Sequence, residues 1–263
     1  MSSENASPAR TETFLDISEQ GQDRNIEKFL HFGRNDKKEQ LTTSLFASLD
    51  VYHDIASRSA ALNMAIDEAL LETAEIPKIR FYQWDHSALS FGYFGNFTEV
   101  AAHSRERDIV RRWTGGGIVF HGDDLTYSIV IPAADSAFPK SSMSIYEKIH
   151  YGIHAAFAAN GRSVELAKNG APKISGSCFA NPVRADVLAN GRKIAGAAQR
   201  RTRRGLLQQG SIQGIDLAEN FADQIANELC LQCYRKTLDE NVISRAHEIA
   251  EQKYGTGAWL QKR

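Results

Sequence analysis

Three consecutive glycines, Gly115, Gly116 and Gly117, lie inside the run RRWTGGGIVFHGDDLTYS from Arg111 to Ser128 and constrain this chain more than any other stretch. They separate two strand-like apolar segments, so no single helix or strand crosses them. Lacking Cβ, they can adopt conformations closed to other residues and let a ligand lie against main-chain N–H groups. A carbonyl, a phosphate or an adenylate suits such a loop. Arg111 and Arg112 add fixed guanidinium charge, and an Arg112 that ends a strand is placed to hold an anionic group there. The same triplet also fits a tight hairpin with a glycine bulge.

At 263 residues, 42% hydrophobic and 24% charged, the chain can bury the core of one large domain or two small ones. Its formal net charge of -1 gives no basic field to draw it to nucleic acid or to an anionic membrane. No apolar run reaches the length of a membrane span, and MSSENASPARTETF lacks the apolar core of a secretory signal. A cytoplasmic location is therefore expected. Cys178, Cys230 and Cys233 argue against a disulfide framework and suit a reducing compartment.

Residues 1–47 are polar, charged and poor in apolar periodicity, which predicts a flexible extension with room for a short amphipathic helix around Ile26 to Phe32. Residues 48–263 read as one α+β domain, a mixed sheet packed by helices. Helical spacing predicts helices over Ala60–Thr73, Ile145–Ala159, Phe221–Tyr234 and Val242–Tyr254. Strands are expected at Ile79–Trp84, Ala88–Tyr93, Asp108–Arg112, Ile118–Phe120, Thr126–Ile131, Asp186–Leu188, Lys193–Arg200 and Gly205–Ile212. The Cys230 and Cys233 pair falls in an expected helix, where a structural role outweighs metal or redox chemistry. The basic run RRTRR, Arg200 to Arg204, fits a solvated turn and equally a face for acidic partners.

A second cluster runs from Ser175 to Ile212. Cys178 stands between small polar residues and the Asn181-Pro182 turn signal, which puts it on an accessible loop and makes it the best nucleophile candidate. An isolated cysteine is otherwise a small buried hydrophobe. Lys193 follows an NGR turn and opens a small, apolar strand beside Gly196. Such a lysine can solvate a surface, or be drawn into a cleft where its charge polarises a carbonyl and favours a nearby thiolate.

RRWTGGGIVFHGDDLTYS, GRKIAGAAQRR and LLQQGSI together resemble the lipoate-protein ligase and octanoyltransferase superfamily, whose catalytic domain is shared with biotin protein ligases. NMAIDEALL is similar to that family's first helix, and the likeness spans roughly Leu49 to the C-terminus. The resemblance implies a mixed sheet packed by helices, a short helical tail, and an acyl tunnel whose mouth is made by the glycine loop and the lysine strand.

Two chemistries are implied. In the ligase branch, ATP and Mg with lipoate give an acyl-adenylate, contacted by the lysine matching Lys193. In the transferase branch, a cysteine takes octanoate from acyl carrier protein as a thioester, without a cofactor or metal. Both pass the acyl group to a lysine on lipoyl domains of 2-oxoacid dehydrogenases or on the glycine cleavage H protein. Cys178, Phe179 and Pro182, followed by GRKIAGAAQRR, resemble the cysteine-dependent octanoyltransferases. That likeness makes Cys178 and Lys193 the catalytic pair, with Arg112, Thr114, Gly115, Gly116, Gly117, His121, Asp186 and Gly196 lining the substrate. Asp186 resembles a nucleotide-binding ligase position, the intact GGG is more ligase-like, and Gln209 replaces a histidine frequent in the family. His121 is a candidate proton acceptor, or a hydrogen-bonded structural residue of its strand.

Overall fold

A computed structural model describes residues 44–170 and 178–262 of the chain. Eleven strands occur among the described residues: β1 (Phe46–Arg58), β2 (Lys78–Trp84), β3 (Ala88–Phe91), β4 (Asp108–Arg111), β5 (Val119–His121), β6 (Leu125–Pro132), β7 (Glu165–Leu166), β8 (Val187–Ala189), β9 (Arg192–Arg201), β10 (Gly205–Ile212) and β11 (Cys230–Lys236). The helices are α1 (Ala60–Glu72), α2 (Ser142–Ala159), α3 (Phe221–Leu229), α4 (Glu240–Ile249) and α5 (Gly257–Leu260). The helix expected at Ile26–Phe32 lies outside the described residues, and β1 starts just ahead of the expected boundary at residue 48.

Eight strands form one sheet in the order β11-β1-β2-β6-β10-β9-β8-β7, and a smaller sheet has the order β4-β3-β5. β1 runs parallel to β2 and β11, while β2, β6, β10 and β9 alternate in direction, so the sheet is mixed as expected. Alternation along β6 sends Tyr127, Ile129 and Ile131 toward α2 and α3, where they meet Ile145, Ile149 and Phe221. Val130, with Tyr82 and Leu207, packs on the other face against Met64, Ile66 and Leu70 of α1 and Ile249 of α4. Helices therefore cover both faces of the large sheet. The side chains of Ser59 and Ser141 accept from Leu62 N and Ser144 N and so cap α1 and α2.

Two expectations fail at the C-terminal end. The helix predicted over Phe221–Tyr234 stops at Leu229, and Cys230–Lys236 continues as strand β11. Pairing with β1, from Phe46 opposite Cys230 to Tyr52 opposite Lys236, satisfies a backbone edge that helical spacing cannot reveal. Within β11, the Cα atoms of Cys230 and Cys233 lie 6.3 Å apart and the two residues form a disulfide. They are not the unpaired helical thiols expected. The Val242–Tyr254 segment divides into α4 and a wide π turn over Ala250–Tyr254.

Between α1 and the sheet lies a buried ionic network. Arg80 of β2, fully enclosed, donates from Nη2 to Asp54 Oδ2 at 2.8 Å and from Nη1 to Asp67 Oδ1 at 3.0 Å. Asn63 accepts two further bonds from it, at 2.6 and 3.2 Å. Asp67 also accepts from Ser128 Oγ at 2.7 Å and Gln209 Nε2 at 2.7 Å, which ties α1 to β6 and β10. A charge so enclosed is tolerated only while paired. Arg80→Ala leaves the buried Asp67 without its cation, while Asp54 keeps Arg58, and is expected to cost about 3–5 kcal/mol. Thermal unfolding monitored by circular dichroism should show a Tm lower by roughly 10 °C.

Candidate active site

The lysine strand is delivered by a hairpin that the sequence encodes directly. Asn190 and Gly191 have φ of 50° and 73°, both left-handed, as a two-residue type I′ turn requires, and they join β8 to β9 with Ala189 opposite Arg192. Lys193 is the second residue of β9, buried, with Nζ 2.8 Å from Asp186 Oδ2. A Cβ on Gly196 would fall on Cε and Nζ of Lys193, so the ammonium reaches Asp186 across a space that only glycine leaves open.

Asp186 is held just as firmly. Tyr146 Oη donates to Oδ1 at 2.5 Å and Val183 N to Oδ2 at 2.6 Å. The preceding residue, Ala185, has φ 68°, a left-handed conformation that costs a non-glycine residue on the order of 1 kcal/mol. Two contacts hold it there: Ala185 N donates to Ala167 O at 2.7 Å, and His150 Nδ1 donates to Ala185 O at 2.8 Å. Burial pushes the imidazole of His150 down to about 4, so it is neutral at pH 7 and free to take that tautomer.

In the glycine loop, only Gly116 has a left-handed backbone, φ 85°. At Gly115 the direction of a Cβ is open space, which leaves room for a ligand beside the main chain. Gly92, which the sequence reading passed over as strand, packs directly against the carbonyls of Gly115 and Gly116, so a side chain there would displace the loop. Arg112 follows β4. Its Nη1 donates to Ser90 Oγ at 2.6 Å and its Nη2 to Gly115 O at 3.1 Å and Gly117 O at 2.8 Å. The guanidinium expected to hold an anion thus braces the loop's carbonyls. Arg111 turns the other way, onto the C-terminal tail, donating to Trp259 O, Leu260 O and Lys262 O. Thr114 Oγ1 donates to Gln209 Oε1 at 2.8 Å, and Gln209 leads on to Asp67, so the loop is joined to the buried ionic network.

His121 ends β5 and is buried. Its Nδ1 is 2.8 Å from Asp124 Oδ2 and its Nε2 is 2.6 Å from Ser90 Oγ, while its ring stacks on Trp84 at 4.1 Å. Burial lowers its pKa against the opposing pull of Asp124, so the ring is neutral at pH 7. Burial pushes the Asp124 carboxyl up, but hydrogen bonds from His121, Ser211 and Thr126 outweigh it and bring the pKa to about 2.

These elements surround a cleft of about 400 Å³, counted to its open mouth. Met64, Tyr82, Trp84, Val119 and Phe179 supply apolar walls; Ser90, Arg112, His121, Thr126, Gln209 and Ser211 supply polar ones; Gly196 and Ala197 leave space. A largely apolar slot with a few placed polar groups suits a small acyl ligand. Arg112, His121 and Gly196 line it, Thr114 braces it from behind, and Lys193 and Asp186 stand at the Gly196 wall. Cys178 opens a short 3₁₀ turn, Cys178–Ala180, next to Phe179, whose ring centroid is 5.5 Å from Lys193 Nζ. The Cys178 side chain lies outside the described residues. Ser90, Asp124 and Tyr146 went unnoticed in the sequence, because serines, aspartates and tyrosines carry no distinguishing spacing there. Among the described residues, no group of three or more His, Cys, Asp or Glu could hold a metal ion, and no helix is long and apolar enough to cross a membrane.

A family model described as the lipoyl protein ligase A/B catalytic domain matches residues 59–237. Octanoyltransferase LipM of Brevibacillus brevis is 37% identical to the chain, over 78% of this chain and 96% of its own length. Octanoyltransferase LipM of Oceanobacillus iheyensis is 41% identical over 59% of this chain and 60% of its own length. The match thus spans less than two thirds of the second relative. Among solved structures, an archaeal bipartite lipoate protein ligase studied with its E2 lipoyl domain, from Thermoplasma acidophilum, superposes with a TM-score of 0.60 at 20% identity, covering 82% of this chain and 96% of that one. This last likeness speaks for the fold alone.

The Asp124 carboxylate gives the site a pH signature. Its folded pKa, about 2, lies below the unfolded value of about 3.9, so it contributes about 2 kcal/mol that is present above pH 4 and lost as pH falls toward 2. Urea denaturation at stepwise pH should show wild type losing about 2 kcal/mol more than Asp124→Asn over that interval.

Proposed function

The chain belongs to the lipoyl protein ligase A/B catalytic domain family, and from that premise we propose that it transfers an octanoyl group from acyl carrier protein to a specific lysine of lipoyl domains. Cys178 carries the acyl group as a thioester, and no cofactor or metal takes part. The observation that carries this reading is the pairing of Lys193 with Asp186 at the Gly196 wall, with Lys193 Nζ 5.5 Å from the ring centroid of Phe179, the residue that follows Cys178 in its turn.

The chemistry follows from the donors present. A thiol with an ordinary pKa of about 8.5 is mostly protonated at neutral pH, and an ammonium nearby favours the thiolate. Attack on the donor thioester turns its carbonyl oxygen into an oxyanion. The Lys193 ammonium, fixed by Asp186, and main-chain N–H groups of the Gly115–Gly117 loop supply stabilisation, each well-placed donor being worth roughly 3 kcal/mol. The carrier's thiol leaves and the acyl chain rests against Met64, Tyr82, Trp84 and Val119. The acceptor lysine then attacks as a neutral amine, releasing Cys178. Lipoyl domains of 2-oxoacid dehydrogenases and the glycine cleavage H protein are the acceptor classes.

Asp186 weighs against the ligase alternative, which would need ATP and Mg. Three donors already occupy its carboxylate, and it is fully buried, so it has no open face for a nucleotide or its metal. The activity test uses octanoyl-acyl carrier protein and an apo lipoyl domain. Cys178→Ala should lower the rate of domain modification by at least about 10³-fold, the scale on which loss of a covalent nucleophile is felt. A ligase would instead keep lipoate-dependent exchange of pyrophosphate into ATP in that variant.

A further inference from the structure

The polar wall of the cleft contains a second nucleophile that octanoyl transfer through Cys178 does not use. Ser90 Oγ lies 2.6 Å from His121 Nε2, and His121 Nδ1 lies 2.8 Å from Asp124 Oδ2. The direction of each proton is fixed by what its partners can accept. Arg112 Nη1 only donates, and it points at Ser90 Oγ from 2.6 Å, so that oxygen accepts from Arg112 and sends its own proton to His121 Nε2. A neutral imidazole with Nε2 as acceptor carries its proton on Nδ1, where the Asp124 carboxylate accepts it. Gly122 N, Thr126 Oγ1 and Ser211 Oγ also donate to Asp124, at 3.0, 2.7 and 2.6 Å, and hold the carboxylate against the ring. The imidazole plane is set by stacking on Trp84.

This is the arrangement of hydroxyl, base and orienting carboxylate that activates a serine, recognised by geometry and roles and not by chain order. Asp124 lies three residues beyond His121 on the way into β6, while Ser90 comes from the neighbouring strand β3, in which Ala88 is opposite His121. Ser90 and His121 both line the cleft, beside the apolar wall of Trp84, Tyr82 and Val119. We propose that Ser90, His121 and Asp124 form an acyl-accepting centre of their own, giving the protein a Cys178-independent hydrolase activity toward esters and thioesters with an apolar acyl chain.

The step balances without any further reactant but water. Ser90 Oγ bonds to the acyl carbonyl carbon as its proton passes to His121 Nε2. The tetrahedral intermediate expels the alcohol or thiol, which departs with that proton. Water, deprotonated by the same nitrogen, then attacks the Ser90 ester, and the proton returns to Oγ as the free carboxylic acid leaves. Arg112 Nη1, already on Oγ, stabilises negative charge there when the ester breaks.

Fluorophosphonates with an alkyl chain phosphonylate serines activated in this way, and the unmodified full-length protein can be tested directly. Peptide mass spectrometry should place the label on Ser90, at a rate about 10²-fold lower in Asp124→Asn. Incubation of wild type with p-nitrophenyl octanoate should leave an octanoyl adduct on Ser90 that resists neutral hydroxylamine and is missing in Ser90→Ala. A thioester on Cys178 is released by hydroxylamine, so the two centres are scored separately. The proposal is overturned if the fluorophosphonate labels nothing, labels another residue, or labels Ser90 equally fast in Asp124→Asn.

Discussion

The carboxylate of Asp67 is the point on which the architecture turns. It belongs to α1, it pairs with Arg80 of β2, and it accepts from Ser128 of β6 and Gln209 of β10. Four elements thus converge on one buried charge whose partners must all be present. The apolar contacts of α1 set that helix on the sheet, but apolar packing alone does not select one register. The fixed hydrogen bonds of Asp67 and Arg80 do, and this is the main use of so costly a group in an interior otherwise filled by Met64, Ile66 and Leu70.

From that point the constraint passes to the cleft. Gln209 uses its amide nitrogen on Asp67 and its oxygen on Thr114, the residue before Gly115. Arg112 grips the loop's carbonyls from the opposite side, and Gly92 admits the loop's close approach. The glycine triplet is therefore a supported loop with one left-handed residue and an open face at Gly115. Beside the cleft's Gly196, Lys193 is fixed by Asp186, which depends in turn on Tyr146, on Val183 and on the strained Ala185. Lys193 and the glycine loop are thus held in place by hydrogen bonds and ion pairs already formed, which is how a preorganised site avoids reorganising during reaction.

Much of this was legible in the sequence, and the exceptions have a common cause. The Asn-Gly turn before Lys193, the Gly205–Ile212 strand and the position of the glycine loop are local signals, and each appears where local chemistry puts it. Asp67 read as a polar residue between apolar ones, because its partner Gln209 is 142 positions away. Ser90 is 31 positions from His121 and had no spacing to mark it. Strand β11 is hidden behind helical spacing for the same reason, since its partner β1 sits at the other end of the domain. Arg112 stands directly after β4, as its position at a strand end implies, and the loop's own carbonyls take part of its guanidinium.

In the proposed transfer, the glycine loop and Lys193 frame an acyl group held on Cys178 on its way to a lysine. Rapid-quench measurement of a single turnover, with octanoyl-acyl carrier protein in limiting amount, tests it most directly. Transfer through Cys178 predicts a hydroxylamine-sensitive octanoyl group on Cys178 that forms before any lipoyl domain is modified and decays at the rate at which the modified domain appears. Modification of the domain with no such thioester, or with one that decays more slowly than product forms, would contradict it.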